Sequence, residues 1–78
     1  MIVKENSNVV SYIKKRGLTS QYLKAKKNLV NGDYRAVDLK KRVPRKNNIW
    51  YFRITKKYRA LAEKVGNTLY VFNISDHQ

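Results

Sequence analysis

Cysteine is absent from the 78 residues of the chain, and histidine, tryptophan and proline each occur once. Without cysteine the protein has neither disulfide bonds nor thiolate metal sites, and a single histidine does not make a zinc site. We therefore expect no metal and no cofactor. A chain of this length is expected to form one domain, over residues 1–78, with a small core and modest stability.

Long apolar runs are also missing. No segment reaches the length that would cross a membrane, and the first residues, MIVKENSN, lack the apolar centre of a signal peptide. A cytoplasmic location without a membrane partner is the expectation.

Acidic residues are scarce: five Asp and Glu stand against 18 Lys and Arg, a formal net charge of +13. Such a field attracts polyanions, and nucleic acid is the first candidate because its phosphates carry charge at high density. The plain alternative is a soluble protein with a basic surface.

The first half of the chain has helical periodicity. A helix over about residues 7–16 would be capped by Ser7 or Asn8 and ended by Gly17. A second helix would start near Thr19 or Ser20 and stop at the Asn31-Gly32-Asp33 sequence. The basic segment that follows is expected to be irregular or briefly extended.

The second half predicts strands at about 48–54, 58–64 and 68–75, and the initial Met-Ile-Val sequence is a candidate edge strand. Two helices followed by an antiparallel three-strand meander predict an α+β domain with the helices on one face of the sheet.

Two registers are open for the first hairpin. A two-residue turn at Lys56-Lys57 would mix arginine with apolar groups on both faces, whereas a three-residue loop of residues 55–57 places Arg53 opposite Arg59 and leaves one face apolar. We prefer the second register.

The same reasoning gives the second hairpin a three-residue loop of residues 65–67. One face would then form the core, with Phe52, Ile54, Ala60, Ala62, Tyr70, Phe72 and Ile74. The other face would carry Tyr51, Arg53, Arg59, Leu61, Val71, Asn73, Ser75 and His77.

Arg53 and Arg59 would repel each other as a directly opposed pair. A sheet tolerates such a pair more readily when an anion binds between the two guanidinium groups. The alternative is that both are ordinary solvated residues, because antiparallel sheets often keep one face in water.

The stretches FRITKKYRAL and LYVFNISDHQ resemble the RelE/ParE superfamily of bacterial toxins from toxin–antitoxin pairs. The pattern R-I-T-x-x-Y-R over residues 53–59, together with Asp76-His77, is most similar to the RelE-like and YoeB-like messenger-RNA endonucleases that act on the ribosome.

The resemblance implies cleavage by attack of the 2′-hydroxyl on the adjacent phosphate. Arg53 and Arg59 match the phosphate clamp and His77 the general acid, while the general base stays open among Asp38, Lys40 and Lys41. Further candidate RNA-binding residues are Arg42, Arg45, Lys46, Tyr51, Lys56 and Lys57.

The implied partners are the ribosome, messenger RNA and an antitoxin whose acidic or amphipathic segment neutralises the toxin. Two rival functions remain open from the sequence: a ParE-type poison of DNA gyrase, and a basic RNA-binding module without catalytic activity.

Overall fold

The computed structural model of the protein describes residues 1–43 and 48–76, and in these residues two helices lie on one side of a five-stranded sheet. The elements in chain order are β1 (Ile2–Glu5), α1 (Ser7–Lys15), α2 (Thr19–Val30), β2 (Lys40–Lys41), β3 (Ile49–Arg53), β4 (Tyr58–Val65) and β5 (Thr68–Asp76). The α+β class is confirmed.

The N-cap of helix α1 is one residue before the first of its expected caps. The side chain of Asn6, rather than Ser7 or Asn8, accepts a hydrogen bond from the Val9 backbone N–H at 2.8 Å. The extended conformation of Asn6 and the β1 strand directly before it favour this residue as the cap, because a cap lies just outside the helix.

Helix α2 ends where the sequence predicts. Gly32 has a φ of +83°, which lets the Asp33 N–H reach the Asn28 carbonyl at 2.8 Å and the Gly32 N–H reach Leu29 at 3.1 Å. No helix in the described ranges is long and apolar enough to cross a membrane.

The strand order is β1-β5-β4-β3-β2, and the sheet is mixed rather than wholly antiparallel. The predicted meander is present as β3, β4 and β5, but β1 runs parallel to β5, with Val3 opposite Leu69. The connection through α1 and α2 carries the chain from β1 to β2 at the opposite edge, and the meander then brings β5 back beside β1. The two-residue strand β2 lies in the segment that was expected to be irregular or briefly extended, and its antiparallel pairing with β3 was not predicted.

The first hairpin has the preferred register. Arg53 lies opposite Arg59, and Phe52 lies opposite Ala60. The Thr55 hydroxyl accepts hydrogen bonds from the backbone N–H groups of Lys57 and Tyr58, at 3.2 and 3.1 Å, and so stabilises the three-residue loop.

The predicted register of the second hairpin is wrong. Val65 pairs with Thr68, so the turn holds only Gly66 and Asn67, and Gly66 takes a φ of +60°. Two-residue turns with positive φ fit the twist of paired strands, which explains the shorter loop. A β-bulge then shifts the register, so that Ala62 lies opposite Val71 but Leu61 opposite Asn73.

The corrected register changes the core. Tyr70 and Phe72, expected inside, are each 44% exposed, while Leu69 and Val71 are buried with Ile74. Residues 71 and 74 would face opposite sides of an undistorted strand, and the extra residue at the bulge brings both to the helix side. The buried helix residues on this side are Val9, Ile13, Tyr22, Ala25 and Leu29.

A polar contact joins the β1 edge to α2. The Glu5 carboxylate accepts a hydrogen bond from the Tyr22 hydroxyl at 2.8 Å and pairs with the Lys26 ammonium at 2.9 Å. Burial first, and then the hydrogen bond and charge of Glu5, raise the pKa of Tyr22 far above its ordinary value. The phenol therefore remains a proton donor to Glu5.

We expect Tyr22→Phe to lower the free energy of unfolding by about 1–2 kcal/mol, because a hydrogen bond to a partly buried carboxylate is lost. Urea denaturation measures the change. Tyr34→Phe is the matched control, since Tyr34 is exposed and its hydroxyl bonds to nothing in the described residues. Equal stability of the two variants would contradict a stabilising role for the Glu5–Tyr22 contact.

Candidate functional site

The sheet face away from the helices carries a cavity of about 340 Å³. We call it the open-face cavity. Its lining comes from β3, β4, β5 and the segment around β2: Asp38, Lys40, Arg42, Tyr51, Arg59, Leu61 and Ser75. Residues from distant parts of the chain thus meet at one place.

Strand pairing explains why these side chains converge. Tyr51 lies opposite Leu61 in β4 and opposite Lys40 in β2, so the three share one face of the sheet. Arg59, two residues before Leu61 in β4 and therefore on the same face, lies opposite Ser75 of β5. These positions alternate with the buried Ala60 and Ala62, which hold the same strand against the helices.

The segment around β2 forms the wall of the cavity. The Arg42 N–H donates to the Ile49 carbonyl at 2.7 Å, which continues the pairing with β3 just beyond β2. Asp38 precedes the strand with a φ of +53°, a left-handed conformation that is uncommon outside glycine. This turn brings residues 38, 40 and 42 to the cavity.

The Arg59 guanidinium is oriented by the β3–β4 loop. Its Nη1 donates to the Thr55 carbonyl at 2.8 Å, with longer contacts to the carbonyls of Lys56 and Tyr58 at 3.5 and 3.4 Å. Nε and Nη2 make no hydrogen bond to the described part of the chain. One side of the guanidinium is therefore anchored, and the other retains its donors.

The cavity is electropositive. Lys40, Arg42 and Arg59 bring three cations to it, against the single carboxylate of Asp38. Lys40 Nζ lies 3.5 Å from Asp38 Oδ1, and both side chains are about half exposed, so the contact neutralises little of the local field. An anion would be attracted to this place.

The other predicted site residues have different positions. Arg53 is opposite Arg59 in the pairing but lines a second cavity beside α2. Lys41 pairs with Trp50, on the face that packs towards the core. Lys56 and Lys57 belong to the β3–β4 loop, where Lys57 Nζ lies 3.8 Å from Asp76 Oδ2.

Three candidates, Arg45, Lys46 and His77, lie outside the described residues. The open-face cavity is also lined by Leu61 and Ser75, which were expected on this face but without a role in the site. The alternation of β4 predicts the position of Leu61. Ser75 reaches its place opposite Arg59 only through the bulge in β5.

Neither a protein-family model nor a curated protein matches the chain.

We expect Arg59→Ala to weaken the binding of pyrophosphate about tenfold, because charge-assisted hydrogen bonds are lost from an anchored guanidinium. Titration followed by backbone amide NMR shifts measures the affinity and should show the largest shifts around residues 40–42, 51 and 59–61. Lys15→Ala, on α1, is the control and should retain wild-type affinity. If both variants lose affinity for pyrophosphate equally, binding depends only on the net charge of the protein and not on the cavity.

Proposed function

We propose that the protein is an endoribonuclease that cleaves messenger RNA on the ribosome and acts as the toxin of a toxin–antitoxin pair. The observation that carries the proposal is the open-face cavity, where Arg59, Lys40 and Arg42 meet Tyr51 and Asp38. Cleavage by the 2′-hydroxyl requires stabilisation of the negative charge on the phosphate, removal of a proton from the 2′-hydroxyl and delivery of a proton to the leaving oxygen. The cations of the cavity suit the first task, and the Asp38 carboxylate suits the second.

Arg59 is assigned to the scissile phosphate. Its guanidinium is held by the Thr55 carbonyl, so little reorganisation is needed when negative charge develops on the phosphate oxygens. The planar fork of Nε and Nη2 suits bidentate contact with phosphate. Lys40 and Arg42 add charge from the opposite wall.

Asp38 is favoured as the general base. Asp38 and Lys40 both line the cavity, whereas Lys41 lies on the other side of the sheet. An ionised carboxylate accepts a proton directly, while an ammonium group must first lose one. Lys40, 3.5 Å from Asp38, then serves as its electrostatic partner.

The leaving 5′-oxygen needs a proton donor. The likeness to the RelE/ParE toxins assigns this role to His77, whose imidazole chemistry suits proton transfer near neutral pH. Tyr51 lines the cavity and carries the alternative donor, a phenolic hydroxyl.

We expect Arg59→Ala to reduce single-turnover cleavage of messenger RNA on programmed ribosomes by about 10²–10³-fold, because the group acts mainly on the transition state. Primer extension of transcript 5′ ends measures the rate. Circular dichroism should show an intact fold, since Arg59 lies outside the core.

Lys27→Ala is the charge-matched control for this experiment. Lys27 is exposed on α2, away from the open-face cavity, so the variant should cleave at the wild-type rate. Wild-type cleavage by Arg59→Ala would refute the assignment of the clamp. If expression of the wild-type protein causes double-strand DNA breaks without transcript cleavage, the proposed function is wrong and the protein is a poison of DNA gyrase.

The antitoxin is expected to cover the same surface. An acidic segment would be drawn to the cations of β2 and the first hairpin, so hydrogen exchange should slow at residues 40–43 and 53–59 in the complex. Mass spectrometry of the free and bound protein measures this. Protection restricted to α1 and α2 would show that the antitoxin acts without covering the cavity.

A further inference from the structure

A second cavity, of about 250 Å³, lies between α2, the segment before β2 and the end of β3. We call it the α2–β3 cavity. Its polar lining consists of Gln21, Lys24, Asn28 and Arg53. Its apolar lining includes three buried residues, Ala25, Val37 and Ile54. The site therefore combines an apolar floor with a polar, positively charged rim.

Helix periodicity explains the arrangement on the α2 side. Positions 21, 24 and 28 are separated by three and four residues, so their side chains project from one face of the helix. The facing wall is held by the Arg53 N–H, which donates to the Val37 carbonyl at 2.7 Å. This bond ties the segment before β2 to the end of β3 and limits the width of the cavity.

Arg53 connects the two cavities. It lines the α2–β3 cavity and pairs directly across the sheet with Arg59 of the open-face cavity. The Cβ atoms of directly opposed residues are roughly 5 Å apart, so the two guanidinium groups can bind neighbouring phosphates of one strand. None of the described residues that line the α2–β3 cavity is acidic.

We infer that the α2–β3 cavity is a subsite for one nucleotide of single-stranded RNA. Lys24 and Arg53 bind its phosphate, the amides of Gln21 and Asn28 bond to polar atoms on the edge of the base, and the apolar floor contacts its face. The assignment rests on the proposed function in one respect, namely that the same strand occupies the open-face cavity.

The chemistry of the lining matches this ligand class. Amide side chains carry both donors and acceptors, which suits the mixed edge of an unpaired base. The volume of about 250 Å³ is below the roughly 300–1,000 Å³ of sites that enclose drug-sized ligands, so the cavity would enclose the base while the sugar and phosphate lie at its rim. An acidic segment of a protein would bind to the two cations, Lys24 and Arg53. Its carboxylates would not need both donors and acceptors from the amides, and they would not pack against the apolar floor.

The test is the affinity for a labelled nine-nucleotide single-stranded RNA of mixed sequence, measured by fluorescence anisotropy without ribosomes. Fluorine in place of the 2′-hydroxyls prevents cleavage. Gln21→Ala and Asn28→Ala should each weaken binding by about two- to tenfold, the loss expected for one or two hydrogen bonds. Neither variant changes the net charge, so a general electrostatic effect would leave affinity unaltered.

Charge-matched variants test the phosphate contact. Lys24→Gln and Lys27→Gln each remove one positive charge from α2, but only Lys24 lines the cavity. Lys24→Gln should reduce the slope of log affinity against log salt by about 0.7, the value for one phosphate of a single strand, and Lys27→Gln should leave the slope unchanged.

The subsite is refuted if the amide variants bind the RNA like the wild type and the two lysine variants have equal salt slopes. Loss of binding to an acidic peptide instead, with RNA binding intact, would assign the cavity to a protein partner and would equally refute it. Gln21 is exposed, so Gln21→Ala keeps the test valid if Asn28→Ala does not fold. Failure of the proposed function has a separate signature: the wild-type protein would bind RNA but cleave no transcript on ribosomes.

Discussion

The structure depends on the alternation of side chains along β4. Ala60 and Ala62 are fully buried towards the helices, while Arg59 and Leu61, which alternate with them, face the open side. The two small side chains leave room for larger neighbours, such as Phe52 opposite Ala60 and Val71 opposite Ala62. Because β4 is the central strand, one period-two pattern organises both the core and the candidate site.

Charge and stability oppose each other in this molecule. A net charge of +13 on 78 residues favours expansion through self-repulsion, and the core is small. Within residues 1–43 and 48–76 the structure contains three ion pairs, of which only Lys26–Glu5 is largely shielded from solvent. An anionic partner on the open face would relieve part of the repulsion, so binding and stability are physically coupled.

Arg53 and Arg59 connect the two basic cavities along one line across the sheet. The two arginines are neighbours across one strand pair, yet each belongs to a different cavity. A linear polyanion fits this geometry better than an isolated anion does, because successive phosphates can lie over successive cations. The repulsion between the two side chains is then a property of the unliganded protein that a bound polyanion would remove.

The sequence by itself determined the α+β class, both helices to within about a residue, the three meander strands and the pairing of Arg53 with Arg59. These features depend on helical or two-residue periodicity and on short loops, which are local. The open-face cavity could therefore be predicted around Tyr51 and Arg59, whereas Arg53 lines the α2–β3 cavity instead.

Only the tertiary structure decided the rest. The parallel pairing of β1, the short β2 and the bulge at Leu61/Ala62 depend on contacts between distant segments, for which local periodicity carries no signal. The grouping of Asp38, Lys40 and Arg42 with Arg59 follows from β2, and the place of Ser75 follows from the bulge. A single extra residue in β5 changes which side chains face the core, and alternation alone cannot reveal where that residue is inserted.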